Sequence, residues 1–323
     1  MKRFNIVLFL VVSLTVLSTP LLVGQDKVGF SRQDEVIYGR KHGLAMTLDV
    51  FTPKDNANGV GVIAVVSGGW FSNRGSLVSP AGTLPRVFNK QIEELLRRGY
   101  TVFAVVHGSQ PKYTVPEILE DMHRAVRFVR HNASTYKVDP ERLGIFGGSA
   151  GGHLSLMQGT AGIVRNEPAN PVDRESSRVQ AVVAYYPPTD FLNYGVEGGY
   201  FDKHVRDLLG GRNPFLAAVD FREFDNEKQL FFRVAGEKEI RKRLADISPA
   251  NHVTPDDPPT LIIHGDADRL VPIQQSELIM ARFKKAGVTA SLKTMPGKDH
   301  GWDAEAAEVK EFADWFDTHL GKK

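Results

Sequence analysis

The chain has no cysteine among its 323 residues. This absence excludes disulfide bonds, a thiol nucleophile and metal sites built on cysteine. It also excludes a lipoprotein anchored through an N-terminal cysteine. Any catalytic nucleophile must therefore come from another residue type.

An excess of charge of one sign is also missing. The 40 Lys and Arg residues nearly balance the 38 Asp and Glu residues, and Lys2 and Arg3 account for the net charge of +2. We therefore expect neither a nucleic-acid partner nor an anionic surface as partner. Hydrophobic residues make up 42% of the chain, which is enough for the core of one large α/β domain or two small ones.

The N-terminus has the pattern of a secretory signal. Lys2 and Arg3 precede an almost wholly apolar stretch over residues 4–17, and small or turn-prone residues follow. We predict a signal peptide over residues 1–24, a mature domain over residues 25–323, and an exported protein that is periplasmic or secreted. The alternative is an uncleaved membrane anchor, but the apolar stretch is shorter than the roughly 20 residues of a full span. We expect no stable membrane association after signal cleavage.

Short apolar runs alternate with amphipathic stretches through most of the chain. Strands are predicted over residues 34–38, 46–51, 60–66, 100–106, 143–146, 179–185, 260–264 and 290–294. Helices are predicted over residues 84–98, 116–131, 271–286 and 304–320. The first two strands are expected at an edge of the sheet. This alternation predicts an α/β fold with a mostly parallel central sheet that is flanked by helices.

The stretch over residues 190–259 breaks this alternation. It mixes many charges with aromatic side chains, namely Phe191, Tyr194, Tyr200, Phe201, Phe215, Phe221, Phe224, Phe231 and Phe232. We interpret it as a cap inserted over the site. Most of these aromatics are expected to build the core of the cap, and a few to reach the ligand.

A G-x-S-x-G motif lies between a predicted strand and a predicted helix. Its serine is Ser149, and its glycines are Gly147 and Gly151. A strand that turns at once into a helix strains the backbone at the serine and leaves no room for side chains two positions away. The N–H of Ala150 would then point at a developing oxyanion. The alternative is an ordinary glycine-rich turn that happens to hold a serine.

A serine nucleophile needs a base, and the base needs an acid that orients it. Asp266 and Asp268 follow the strand at 260–264, and His300 lies in a glycine-flanked loop after the last strand. The carboxyl ends of parallel strands share one edge of a sheet, so these side chains can converge on Ser149. We favour Asp268 as the acid and expect Asp266 to hold its loop. The alternative for His300 is a solvated loop histidine.

Three other histidines are interpreted as structural, namely His107, His153 and His264. The rest of the oxyanion hole is expected from the loop after the strand at 60–66. There Gly69 and Trp70 can present backbone N–H groups. The Trp70 side chain either forms a wall of the substrate pocket or packs against neighbouring side chains without a role in binding.

Three motifs carry a family resemblance: GGSAGGH at 147–153, HGDADRLVP at 264–272 and GKDHGW at 297–302. With them, residues 34–320 resemble the α/β-hydrolase superfamily. More narrowly they resemble the secreted bifunctional feruloyl/acetyl-xylan esterase-like group, which is related to prolyl-oligopeptidase-type and hormone-sensitive-lipase-like hydrolases. The resemblance implies an α/β-hydrolase fold with an inserted cap. It also implies Ser149 as nucleophile, Asp268 as acid and His300 as base.

The oxyanion loop departs from the related esterases. They usually carry H-G-G-G-W, whereas this chain has Val-Ser-Gly-Gly-Trp over residues 66–70. Backbone N–H groups suffice for an oxyanion hole, so activity should survive. The support of the loop must differ, and which N–H groups point inward stays open.

The resulting hypothesis is a secreted serine carboxylesterase that acts through an acyl-enzyme and needs no cofactor or metal. Its candidate substrates are acetyl or feruloyl-type esters, either small molecules or plant polysaccharides. One alternative is an exopeptidase or amidase, for which Glu197 and Asp202 would be candidate ligands of a substrate amine. Another is a non-catalytic binding protein of the same fold, against which the complete triad argues. The sequence leaves the oligomeric state unknown.

Overall fold

The computed structural model describes residues 28–79, 83–162 and 170–321. The signal peptide predicted over residues 1–24 lies outside these described residues. Within the described parts of the chain, no helix is both long enough and apolar enough to cross a membrane.

The described strands form one large sheet and a small hairpin. The large sheet contains β1 (Phe30–Lys41), β2 (Leu44–Pro53), β3 (Gly61–Val66), β4 (Thr101–Val106), β5 (Leu143–Gly148), β6 (Ala181–Tyr185), β9 (Thr260–Gly265) and β10 (Ala290–Met295). The hairpin contains β7 (Arg222–Asp225) and β8 (Leu230–Arg233). The described α-helices are α1 (Asn89–Arg97), α2 (Val115–His131), α3 (Ala150–Thr160), α4 (Phe201–Leu208), α5 (Glu237–Asp246), α6 (Gln274–Ala286) and α7 (Ala306–Leu320).

The eight strands of the sheet lie in the order β1-β2-β4-β3-β5-β6-β9-β10. β1 with β2 and β2 with β4 are antiparallel pairs, and every later pair is parallel. This confirms the predicted α/β class and the mostly parallel sheet. The expectation that both of the first strands lie at an edge was wrong for β2, because β4 pairs with its other side.

Helices cover both faces of the sheet, which is why the inner strands are apolar throughout. In β3, Ile63 and Val65 belong to the core on one face, and Val62 and Ala64 belong to the core on the other. Helices α2, α3 and α6 contribute to the first core, whereas α1 and α7 contribute to the second. The carboxyl ends of β5 and β9 are thus held at one edge by packing from both sides.

Helix α1 begins later than predicted, at Asn89 instead of residue 84. Phe88 has a φ of 53°, in the left-handed region, so it cannot belong to a right-handed helix. Its ring packs against Phe146, with the two centroids 5.2 Å apart. The apolar pattern that predicted an earlier start therefore reflects core packing by a loop.

The segment between β6 and β9 holds α4, the β7–β8 hairpin and α5. Phe191, Phe201 and Phe215 pack around Trp70, at centroid distances between 5.7 and 6.5 Å. Three phenylalanines of the hairpin do not take part in this packing. Phe224, Phe231 and Phe232 are 42%, 68% and 43% exposed and belong to neither core.

Candidate active site

Ser149 occupies the turn between β5 and α3 with a φ of 55° and a ψ of −121°. A non-glycine residue rarely adopts this conformation, and it persists only where the surroundings impose it. A Cβ on Gly147 would lie 2.6 Å from backbone atoms of Gly151, and one on Gly152 would lie 2.8 Å from the carbonyl oxygen of Tyr185. The glycines therefore let α3 start directly against the sheet, as the motif predicts.

The structure brings Ser149, His300 and Asp268 together in one chain of hydrogen bonds. His300 Nε2 lies 2.9 Å from Ser149 Oγ, and His300 Nδ1 lies 2.8 Å from Asp268 Oδ2. The acid orients the imidazole with Nδ1–H toward the carboxylate, so Nε2 can accept the serine proton. Ser149 follows β5, Asp268 follows β9 and His300 follows β10, so all three lie at the same sheet edge.

Asp268 is buried and fully hydrogen-bonded. Its Oδ1 accepts from the N–H groups of Leu270 and Val271, at 3.0 and 2.9 Å. Burial raises the pKa of Asp268, but the contacts with His264 and His300 outweigh burial, so the pKa ends below its ordinary value. The carboxylate therefore stays ionised beside the imidazole.

Asp266 does not join this chain. Its Oδ1 accepts from the N–H of Gly297 at 2.6 Å, which ties the loop after β9 to the loop after β10. Asp299 acts on the same loop, because its carboxylate accepts from the backbone N–H groups of Arg269 and His300. These bonds, together with the Arg269 guanidinium, lower the pKa of Asp299 to about 2.

The loop after β3 presents free backbone donors next to the nucleophile turn. Gly69 and Trp70 have φ values of 56° and 60°. No described residue accepts a hydrogen bond from the N–H of Gly69, Trp70 or Ala150. Ala150 begins α3, where the first N–H groups of a helix lack intrahelical acceptors. These three groups are the available donors for an oxyanion.

Other contacts support this loop in place of the histidine of the H-G-G-G-W motif, which this chain lacks. The backbone N–H of Gln110 donates to the carbonyl of Trp70 at 3.2 Å, and its side-chain amide donates to the carbonyl of Gly69. From the other side, the ring of Phe215 occupies the position that a Cβ on Gly69 would need, at 2.5 Å. Gln110 therefore holds the two carbonyls, and Phe215 of the inserted segment packs against Gly69.

His153 connects the oxyanion loop to the inserted segment. The indole Nε1–H of Trp70 donates to His153 Nδ1 at 3.2 Å, and His153 Nε2 donates to the carbonyl of Ile247 at 2.7 Å. Trp70 is 2% exposed, so its side chain packs between the elements. Burial lowers the pKa of His153 to about 4, so the ring is neutral at ordinary pH. The three histidines interpreted as structural are all buried, although His264 Nε2 also lies 3.4 Å from Asp268.

Several residues at the site were missed from the sequence. Asp299 directly precedes His300, so its position was a usable signal for a loop-holding carboxylate. Tyr186 has a ring centroid 4.8 Å from that of His300, and it follows β6 just as Asp268 follows β9. Gln110 gives no local signal, because it contacts the oxyanion loop 41 residues earlier in the chain.

The chain has the fold of the α/β-hydrolase class, as shown by the sheet order, the turn at Ser149 and the Ser–Asp–His order. The comparisons with known proteins identify the family within this class. Residues 48–283 match the family model BD-FAE, so the chain belongs to the BD-FAE family.

Known relatives and solved structures agree with this class. The chain is 27% identical to the esterase LipQ of Mycobacterium tuberculosis, over 90% of this chain and 62% of LipQ. It is 26% identical to a truncated carbohydrate esterase from gut microbiota, over 92% of this chain and 99% of that one, with a TM-score of 0.66. It shares the fold of an acetyl ester-xyloside bifunctional hydrolase from Caldicellulosiruptor lactoaceticus, at 22% identity over 90% of this chain and 97% of that one, with a TM-score of 0.67. The chain spans about three fifths of the length of LipQ.

The buried neutral His153 predicts a pH-dependent stability. Its pKa is about 4 in the folded chain, below the ordinary 6.5, so between these values only the unfolded chain binds the proton. The free energy of unfolding should therefore fall as the pH drops from about 6.5 to about 4. His153→Gln, which keeps a donor and an acceptor, should reduce that slope in urea denaturation at a series of pH values.

Buried His107 contributes to the same pH dependence. Burial lowers its pKa to about 4 as well, so part of the slope should remain in His153→Gln. Equal slopes for wild type and His153→Gln would contradict a neutral buried imidazole at this position.

Proposed function

We propose that this protein is a serine carboxylic ester hydrolase that acts through an acyl-enzyme. The observation that carries the proposal is the unbroken hydrogen-bond chain from Ser149 Oγ through His300 to Asp268. It lies next to backbone donors that have no acceptor among the described residues. Membership of the BD-FAE family and the similarity to proteins named as esterases support the same reaction class.

In the proposed mechanism each group has a step. His300 Nε2 takes the proton of Ser149 Oγ as the oxygen attacks the ester carbonyl, and Asp268 stabilises the imidazolium that forms. The oxyanion accepts hydrogen bonds from the Ala150 N–H and from Gly69 or Trp70. His300 then gives its proton to the leaving alkoxide. In the second half-reaction it activates water, which hydrolyses the acyl-enzyme.

The proposed substrates are acetyl or feruloyl-type esters, with carbohydrate esters among them. Two of the similar solved structures are a carbohydrate esterase and an acetyl ester-xyloside hydrolase. This similarity supports a sugar as the alcohol part of the substrate ester. We also propose that residues 1–24 are an export signal, so that the enzyme would meet plant polysaccharide esters outside the cytoplasm.

The exopeptidase or amidase alternative finds less support at the site. The carboxylate of Asp202 is taken up by Arg206 and Asn213, within hydrogen-bond distance of both. Glu197 is exposed in the loop before α4. Neither carboxylate is thus placed as one of a pair that holds a substrate amine near the nucleophile.

Replacing the nucleophile should abolish turnover without unfolding the protein. Ser149→Ala should lower the kcat for p-nitrophenyl acetate by about 10⁶-fold, as removal of a triad nucleophile does elsewhere. A circular-dichroism melting curve checks that the fold is intact. Turnover near the wild-type rate by a folded Ser149→Ala protein would refute the assignment.

The two aspartates of the loop after β9 form a matched pair for testing the acid. Asp268→Asn should lower kcat by about 10⁴-fold, because the amide no longer fixes the imidazole tautomer or stabilises the imidazolium. Asp266→Asn makes the same chemical change on the same loop and should cost less than about tenfold. Steady-state kinetics of both variants test which aspartate is the acid. A larger loss of kcat in Asp266→Asn than in Asp268→Asn would reverse the assignment.

A further inference from the structure

A cavity of about 210 Å³ lies beside the catalytic histidine, on the far side of Tyr186. It is bounded by the start of α1, the end of β6 and the segment between His300 and α7. The residues that bear on its chemistry are Phe88, Gln91, Tyr185, Tyr186, Trp302 and Glu308. The mechanism described above uses none of them.

The Tyr186 ring joins this cavity to the site. Its centroid lies 4.8 Å from that of His300 and 5.1 Å from that of Trp302, in edge-to-face contacts. In ester hydrolysis the leaving alkoxide must reach His300 Nε2 to receive its proton. The alcohol half of an ester therefore departs on the imidazole side, where Tyr186 and Trp302 form an aromatic surface.

Two hydrogen-bonding groups of the cavity wall are not satisfied. Glu308 is 3% exposed, and its Oε2 accepts from the indole N–H of Trp302 at 2.8 Å. Its Oε1 is buried with no hydrogen-bond partner among the described residues. The Tyr185 hydroxyl accepts from the Gln91 amide at 3.4 Å, and no described residue accepts its proton.

A free acceptor and a free donor in one wall are the complement of a hydroxyl group, which offers one of each. A buried acceptor left unpaired destabilises any complex that covers it, so an apolar alcohol fits poorly. An ammonium group could pair with Glu308 but has no lone pair for Tyr185. Arg86 and Lys90 line the cavity together with Glu308 and Asp303, and Lys90 pairs with Asp303 at 2.7 Å, so the lining has no excess of negative charge that would favour an ammonium group.

We propose that this cavity is the alcohol-side subsite and that it takes a polyhydroxylated ring, as in a sugar ester. One ring hydroxyl donates to Glu308 Oε1 and accepts from the Tyr185 hydroxyl, while Tyr186 and Trp302 pack against the ring. Glu308 is then a specificity residue. The inference rests on the ester hydrolysis proposed above.

A pair of esters tests the subsite on the wild-type enzyme. A monoacetylated methyl xylopyranoside and cyclohexyl acetate share the acetyl group and a six-membered ring, but only the first carries ring hydroxyls. The kcat/KM should be roughly 10- to 100-fold higher for the sugar ester, the range of a lost hydrogen bond to a charged group. Equal values for the two esters would overturn the subsite.

Glu308→Gln tests the residue itself. The Trp302 indole N–H holds the amide oxygen, so the amide nitrogen takes the Oε1 position and cannot accept a hydroxyl proton. The kcat/KM for the sugar ester should fall about 10- to 100-fold and that for cyclohexyl acetate should stay constant. The matched control is Glu311→Gln on the same helix. The half-buried Glu311 pairs with Lys293 and does not line the cavity, so this variant should change neither value.

The outcomes separate the two proposals. An equal loss on both esters in Glu308→Gln means a structural role and overturns the subsite alone. No turnover of either ester, or of p-nitrophenyl acetate, by the wild-type protein overturns the ester hydrolase and the subsite with it. If Glu308→Gln does not fold, Trp302→Phe removes the indole donor that aims the carboxylate, and the sugar preference should again decrease.

Discussion

The backbone of Ser149 is the constraint on which the site depends. Its φ of 55° and ψ of −121° lift the side chain out of the sheet edge, where His300 reaches it from the loop after β10. The same turn starts α3 at Ala150 and leaves that N–H free beside the hydroxyl. Packing maintains this conformation, because Gly147 and Gly151 touch backbone to backbone in a space that admits no Cβ. The proposed nucleophile and one proposed oxyanion donor are thus products of one strained turn.

The second half of the oxyanion site depends on residues distant in the chain. Trp70 sits in the left-handed region, and its side chain is held by aromatic rings of the inserted segment and by His153. His153 in turn donates to the carbonyl of Ile247, near the end of that segment. The inserted segment therefore supports the loop that contains Gly69 and Trp70.

Much of this arrangement was predictable from the sequence, for identifiable reasons. Inner strands of a sheet covered on both faces are continuous apolar runs, so they were found within one or two residues. Ser149 and Asp268 each follow such a strand, His300 follows the edge strand β10, and parallel strands place those ends at one edge. That rule was enough to expect the three side chains together.

The remaining features depend on contacts that leave no local pattern. The bond between Trp70 and His153 joins residues 83 apart, and the bond from His153 to Ile247 spans 94. The late start of α1 follows from the left-handed conformation of Phe88, which its apolar side chain does not signal. In the sequence, Glu308 is an ordinary acidic residue in the first turn of α7. Its burial beside Trp302 is visible only in the folded structure.

The central claim is that the fold makes the hydroxyl of Ser149 a nucleophile. Reaction of the folded protein with a fluorophosphonate, followed by intact-mass analysis and peptide mapping, tests this claim most directly. The account predicts one adduct per chain, located on Ser149. An unmodified folded protein, or an adduct on another residue, would contradict it.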